Sequence, residues 1–290
     1  MTAPGWFLEH LGWKAASDKA HNRCISYFGA PLGPNLADLS GPSSTRIAGK
    51  VYELLGIPLS QLSTIDLGSL EARGDPAGSA DGPRRPPTGT AAAGTRLELG
   101  LRQDIENSLR ALDPERGWEV SRGGGVSRFA QYAHLQRLQE LFEAEPLLKA
   151  ALGRDYQVAT DVLVGVPNPW DDGPSHVLHA AVSSKLTIRS DRVQNIRFEF
   201  GTLVRNRKGR APHLVVVTAE PLPSRLLSIA RGTGEIDAVY HLLFGEMSEA
   251  LSTLCGEDSY MRRQADDWTE MVDTRRIRPY DELAEVLALT

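Results

Sequence analysis

A lysine near the end of an apolar, β-branched run constrains this chain more than any other feature. Residues 179 to 188, HAAVSSKLTI, open with small and apolar groups and carry Val182, Thr187 and Ile188, the composition of a buried strand. An ammonium group in such a strand is costly unless a partner compensates it, so Lys185 calls for a carboxylate nearby. Directly afterwards comes Arg189-Ser190-Asp191-Arg192. Ser190 is placed to cap the helix that the spacing of Val193, Ile196, Phe200, Leu203 and Val204 predicts. The strand therefore feeds a helix whose first turn is dense in charge.

That turn has the chemistry of base reading. In the DNA major groove arginine pairs bidentately with guanine O6 and N7, and a carboxylate accepts from the cytosine amino group. Arg189 and Arg192 around Asp191 suit two successive G·C pairs, and a twofold dimer joins two such half-sites into the palindrome CCGG. Lys185 to Arg210 holds eight basic residues against two acids, Asp191 and Glu199, although the whole chain carries a formal charge of −5. A local cationic patch on an acidic protein fits a site-specific binder better than a protein that coats nucleic acid. A solvated basic helix end is the plainer reading of Arg205 to Arg210 alone.

A second charge sits where it is costly. Val158 to Val166, VATDVLVGV, reads as a strand with Asp161 in it, and a buried carboxylate needs a cation or hydrogen bonds. A strand-end aspartate meeting an arginine would satisfy this. A pairing of Asp161 with Lys185 on a neighbouring strand would also do so, and it is the pairing that a metal-dependent hydrolase needs.

The segments SSKLTIRSDR (183 to 192), LVRNRKGR (203 to 210) and HLVVVTAEPLPSRLLSIARGTGEIDAVYH (213 to 241), with YAHL at 132 to 135, resemble the NgoMIV-type restriction endonucleases. These belong to the PD-(D/E)XK nuclease superfamily and cut around a CCGG core. The likeness is dense from Arg154 to Leu243 and patchy over Ser43 to Leu55 and Gly94 to Leu109. It implies an α/β fold with a mixed central sheet flanked by helices, and a type II restriction endonuclease that uses Mg²⁺. Asp161 is then the bridging metal ligand and Lys185 the water-orienting cation. Ser183 supports the site from the position that usually holds the second acid, and the Ser184 backbone carbonyl is a further metal ligand. The displaced acid moves into the helix, giving lysine, thirteen residues and glutamate, which is the spacing of Lys185 and Glu199. Glu98 adds a carboxylate near the metal.

The resemblance also implies that Ser43 and Arg225 (of P-S-R) read the outer base pairs. The site becomes GCCGGC, cut after the first G to leave four-base 5′ overhangs, by a homodimer that assembles into a homotetramer. This chain departs from the family pattern at Thr160, where proline is usual. It departs again at Ala91 to Ala93, near which the relatives carry a glutamine that probes the minor groove. Two readings from other classes are a DNA-binding protein that kept the RSDR helix and lost hydrolysis, and a repair or recombination nuclease without strict sequence preference.

The rest of the chain bounds this picture. At 290 residues it reads as a single endonuclease domain, with a catalytic core from about 95 to 245. A mobile Gly- and Pro-rich insertion is expected over 71 to 94, where almost no large apolar residue is available for burial. No apolar run approaches membrane-span length, no signal-like N-terminus is present, and the two cysteines, Cys24 and Cys255, suggest no clip. A soluble bacterial cytoplasmic protein is expected. Helices are expected over 6 to 20, 45 to 55, 97 to 112, 127 to 145, 224 to 230 and 237 to 255, a loop over 118 to 128, and a further strand over 213 to 219. The last thirty or so residues read as a terminal helix or two. His176, His179, His213 and His241 match no zinc signature and read as core or surface residues.

Overall fold

The computed structural model describes residues 3–8, 42–56, 90–144, 158–170, 174–232 and 234–290. In chain order the elements are α1 (Gly5–Leu8), α2 (Pro42–Leu54), α3 (Thr90–Leu112), β1 (Glu119–Arg122), α4 (Ala133–Ala144), β2 (Val162–Pro167), β3 (His176–Lys185), α5 (Ser190–Asn206), β4 (His213–Thr218), α6 (Pro223–Ala230), β5 (Ala238–His241), α7 (Phe244–Leu254), α8 (Ser259–Asp273), β6 (Ile277–Pro279) and α9 (Glu282–Leu289). The six strands form one sheet in the order β1 to β6. β1, β2 and β3 pair antiparallel, and β3 to β6 run parallel. This is the expected mixed sheet flanked by helices.

The central strands are buried along almost their whole length, as their continuous runs of valine, leucine and alanine require when both faces are covered. Helix α3 lays Leu97, Leu101, Ile105 and Leu109 against the core, an i, i+4 stripe. Its last apolar residue, Leu112, points to solvent instead. Helix α5 buries Val193, Ile196, Phe200 and Leu203, the stripe expected from the sequence, and forms the crossover from β3 to β4. Between β2 and β3 the register shifts at Val164/Gly165. A Cβ on Gly165 would lie 2.9 Å from the Phe129 ring, so only glycine lets that aromatic close over the irregularity.

Several boundaries differ from the sequence reading. Residues 71 to 89 of the expected insertion lie outside the described residues, and Thr90 to Gly94 belong to α3, since three consecutive alanines favour helix. The expected loop over 118 to 128 contains strand β1. Its sequence EVSR hides it, because edge strands tolerate charge. The helix expected from Ser127 begins only at Ala133; before it lie two 3-10 turns broken at the extended Phe129. Ser190 is the first residue of α5 and does not cap it; the cap position is Arg189, without a side-chain cap bond. The helix expected over 237 to 255 is a strand, β5, followed by α7. A short apolar run between two parallel neighbours cannot be told from helix by periodicity. β6 also joins the sheet, past the expected end of the core at 245, and lies where only helices were expected. Most of the expected helix over 6 to 20 lies outside the described residues. No described helix is long and apolar enough to cross a membrane.

Candidate active site

β2 and β3 bring together the two charges that the sequence places in costly surroundings. Asp161 stands one residue ahead of β2, not within the strand as expected. The regular β1–β2 ladder reaches Arg122↔Val162 and, past Gly123 and Gly124 with φ of 64° and 100°, resumes as an isolated bridge at Gly125↔Ala159. The Gly123 amide donates to the Asp161 carbonyl at 2.9 Å and fixes its backbone. The Asp161 side chain reaches across to the end of β3. Its Oδ2 accepts from the Ser184 amide at 2.6 Å and from Lys185 Nζ at 2.6 Å. The hydroxyls of Ser183 and Ser184 lie at 3.4 Å, long for O–H···O bonds. Oδ1 accepts no hydrogen bond from the described residues. The aspartate and lysine side chains are 21% and 27% exposed, so solvent reaches the pair.

Two further carboxylates feel this pair. Burial raises the Glu98 carboxyl above its ordinary pKa, the charge of Asp161 raises it further, and Arg122 and Lys185 pull it back down. Burial likewise raises Glu199, which Lys185 lowers and Asp161 raises. Glu98 on α3 and Glu199 on α5 thus lie within electrostatic reach of Asp161 and Lys185. Three acids against two cations, Lys185 and Arg122, leave a net negative charge for which a divalent cation would be a counter-ion. The donors are all oxygens, the set that hard cations such as Mg²⁺ prefer. Among the described residues no three His, Cys, Asp or Glu side chains close into a ready-made ion cage. This suits an ion held by one or two carboxylates together with substrate phosphate oxygens.

Comparisons with known proteins show the family. The family model described as NgoMIV restriction enzyme matches residues 85–173 and 170–289. The type II restriction enzyme NgoMIV of Neisseria gonorrhoeae is 41% identical over 227 residues, which cover 68% of this chain and 78% of that protein. The chain belongs to the NgoMIV restriction enzyme family. It is a type II restriction endonuclease, a site-specific deoxyribonuclease. A solved structure, the pre-specific restriction endonuclease BsaWI in complex with DNA, aligns over 91% of this chain and 93% of its own at 10% identity, with a TM-score of 0.31.

In this NgoMIV-family enzyme the expected base readers are placed unevenly. Arg189 and Asp191 project from the start of α5, 54% and 66% exposed, 3.8 Å from each other. Arg192 is turned back, donating to the Thr187 carbonyl at 2.7 Å and to its hydroxyl at 3.1 Å. Arg225 lies at the start of α6, half-buried, with Nη1 3.7 Å from Glu220. Ser43 falls in α2, but its side chain lies outside the described residues. The sequence reading missed two residues here. Arg122, on edge strand β1, stands 3.8 Å from Glu98, and nothing in EVSR marks it. Glu220 is fully buried beside Arg225. The signal that picked out Asp161, a carboxylate at the edge of a β-branched run, was equally present at Glu220 after LVVVTA. His179 and His241 are buried, and His176 and His213 are half-buried.

Proposed function

We propose that the enzyme hydrolyses double-stranded DNA at a palindrome with a CCGG core, in a Mg²⁺-dependent reaction. The most consistent site is GCCGGC, cut after the first G to leave four-base 5′ overhangs. The observation that carries this reading is the 2.6 Å contact of Lys185 with Asp161, one turn of chain away from the exposed Arg189 and Asp191.

A divalent ion bound there supplies Lewis acidity toward the phosphate, a lowered pKa for the attacking water and a counter-charge for the leaving oxygen. The chain's own residues supply the rest. Asp161 would hold the ion through Oδ1, while its Oδ2 is tied to the end of β3. The Ser184 carbonyl and Glu98 would be the further ligands, and Glu199 would stand in for the acid that is absent at Ser183. Lys185 orients the water for in-line attack and neutralises charge that builds on the phosphate. Arg189, Asp191 and Arg192 read the core base pairs, Arg192 after releasing Thr187, and Arg225 and Ser43 read the outer pair. A homodimer matches the twofold symmetry of the palindrome, and pairing of two dimers into a tetramer follows the family pattern.

Plasmid digestion tests all of this at once. Purified enzyme incubated with a plasmid carrying GCCGGC sites, with and without Mg²⁺, is expected to cut only with the metal, and sequenced ends are expected to carry 5′-CCGG. Ends at unrelated sequences would overturn the specificity, and cutting in the presence of chelator would overturn the metal requirement.

A further inference from the structure

One carboxylate holds the approaches to both base-reading helices. Glu220, fully buried, follows β4. Its Oε2 accepts from the Ile188 amide at 2.7 Å, the residue just before Arg189 and the start of α5. Its Oε1 accepts from the Leu222 amide at 3.0 Å, at the cap position of α6. Arg225, one turn into that helix, stands 3.7 Å from Oε2. The backbone of Glu220 is itself held from two strands. Its amide donates to the Thr218 hydroxyl at 3.1 Å, and its carbonyl is 3.0 Å from His241 Nε2.

A buried charge is a weak source of stability, because desolvation offsets most of what its partners return. A two-oxygen brace between two helix starts supplies fixed geometry instead. Base reading depends on that geometry, since hydrogen bonds weaken steeply with misalignment, and displacements of about 1 Å from remote changes are enough to cost function. We propose that Glu220 is a positioning residue for sequence discrimination. It locks the tip carrying Arg189, Asp191 and Arg192 and the α6 start carrying Arg225 in one relative placement, so that inner and outer base pairs are read in register. This inference rests on the assignment of those side chains as base readers.

The test uses the full-length enzyme with Mg²⁺ and three duplexes, containing GCCGGC, the outer-pair variant ACCGGT and the inner-pair variant GCATGC. Single-turnover rates give two discrimination ratios. Glu220→Gln is expected to lower both ratios by about tenfold, comparable to losing one base contact. A purely structural role would slow all three duplexes alike and leave both ratios unchanged, and that result overturns the proposal, as does a change in only one ratio. Arg225→Ala and Arg189→Ala serve as controls and are expected to lower the outer and inner ratio respectively. Unchanged ratios in these controls sink the base-reader assignment and the proposal with it, whereas unchanged ratios in Glu220→Gln alone sink only the proposal. If Glu220→Gln does not fold, Thr218→Val removes the hydroxyl that holds the Glu220 amide and decides the matter on the same two ratios.

Discussion

Asp161 receives an amide and an ammonium at 2.6 Å each, whereas the side chains of Arg189 and Asp191, just past Lys185, meet only each other among the described residues, at 3.8 Å. The first arrangement is finished before substrate arrives. The second leaves its donors and acceptor to be satisfied by something else. The contrast fits the two proposed tasks. Stabilising charge during hydrolysis works best when dipoles and cations are already in place. Reading a base edge needs polar groups that are still unmatched, because a wrong base then leaves them unpaired. The tip is also unfavourable to itself, since two arginines at a helix start oppose the macrodipole by about 0.3 to 1 kcal/mol each. An anionic duplex bound there, as proposed, would relieve that cost.

Removing the lysine tests the finished half of this contrast and carries the largest expected effect. Lys185→Ala should lower the cleavage rate by about a hundred- to a thousandfold, the usual loss when one preorganised electrostatic group is deleted. Binding of GCCGGC duplex, followed by gel shift with Ca²⁺ in place of Mg²⁺, should persist. Equal losses of binding and rate would mean that the strand pair is also part of the reading surface. The unfinished half is tested by Arg189→Ala, which should reduce discrimination against inner-pair substitutions by about 1 to 3 kcal/mol, measured as the ratio of cleavage rates on cognate and substituted duplexes. Its thermal unfolding should match the parent protein, because an exposed side chain with one distant ion pair contributes little to stability. A large drop in melting temperature would show that the tip is structural after all.

The two halves were not equally legible in the sequence. Asp161 and Lys185 stand out because a charge in a β-branched run is a physical contradiction that only a partner resolves, and the structure supplies that partner in each case. Helix α5 was legible from its apolar spacing, although its cap was misplaced by one residue, because serine serves at the cap and at the first helical position alike. β5 was not legible. Its four residues owe their strand geometry to pairing with β4 and β6, which are distant in sequence, and β1 owes its own to the edge of β2. The brace at Glu220 also depends on long-range partners, since Ile188 lies 32 residues away. The turning back of Arg192 onto Thr187 is a rotamer choice that no spacing rule encodes.

Acid separates the scaffold that both halves share from the groups that act on DNA. His241 is almost wholly buried on β5. Its Nδ1 accepts from the Leu243 amide at 3.1 Å, so the neutral ring carries its proton on Nε2 and donates it to the Glu220 carbonyl. Burial pushes its pKa down to about 4, against the ordinary 6.5 that it regains on unfolding. Between those values the unfolded chain binds a proton that the folded one refuses. The stability this residue contributes is therefore complete above about pH 6.5 and is lost as pH falls toward 4, by about 2 kcal/mol between pH 7 and pH 5. His179, pushed down to about 4 by burial in the same way, adds a loss of the same sign. Denaturant unfolding at pH 7 and pH 5 should show a smaller difference for His241→Gln than for the parent. An identical difference would place the acid sensitivity elsewhere. A smaller one would mean that loss of cleavage at pH 5 must first be corrected for a loosened mount beneath the reading helices before any of it is assigned to the carboxylates at Asp161.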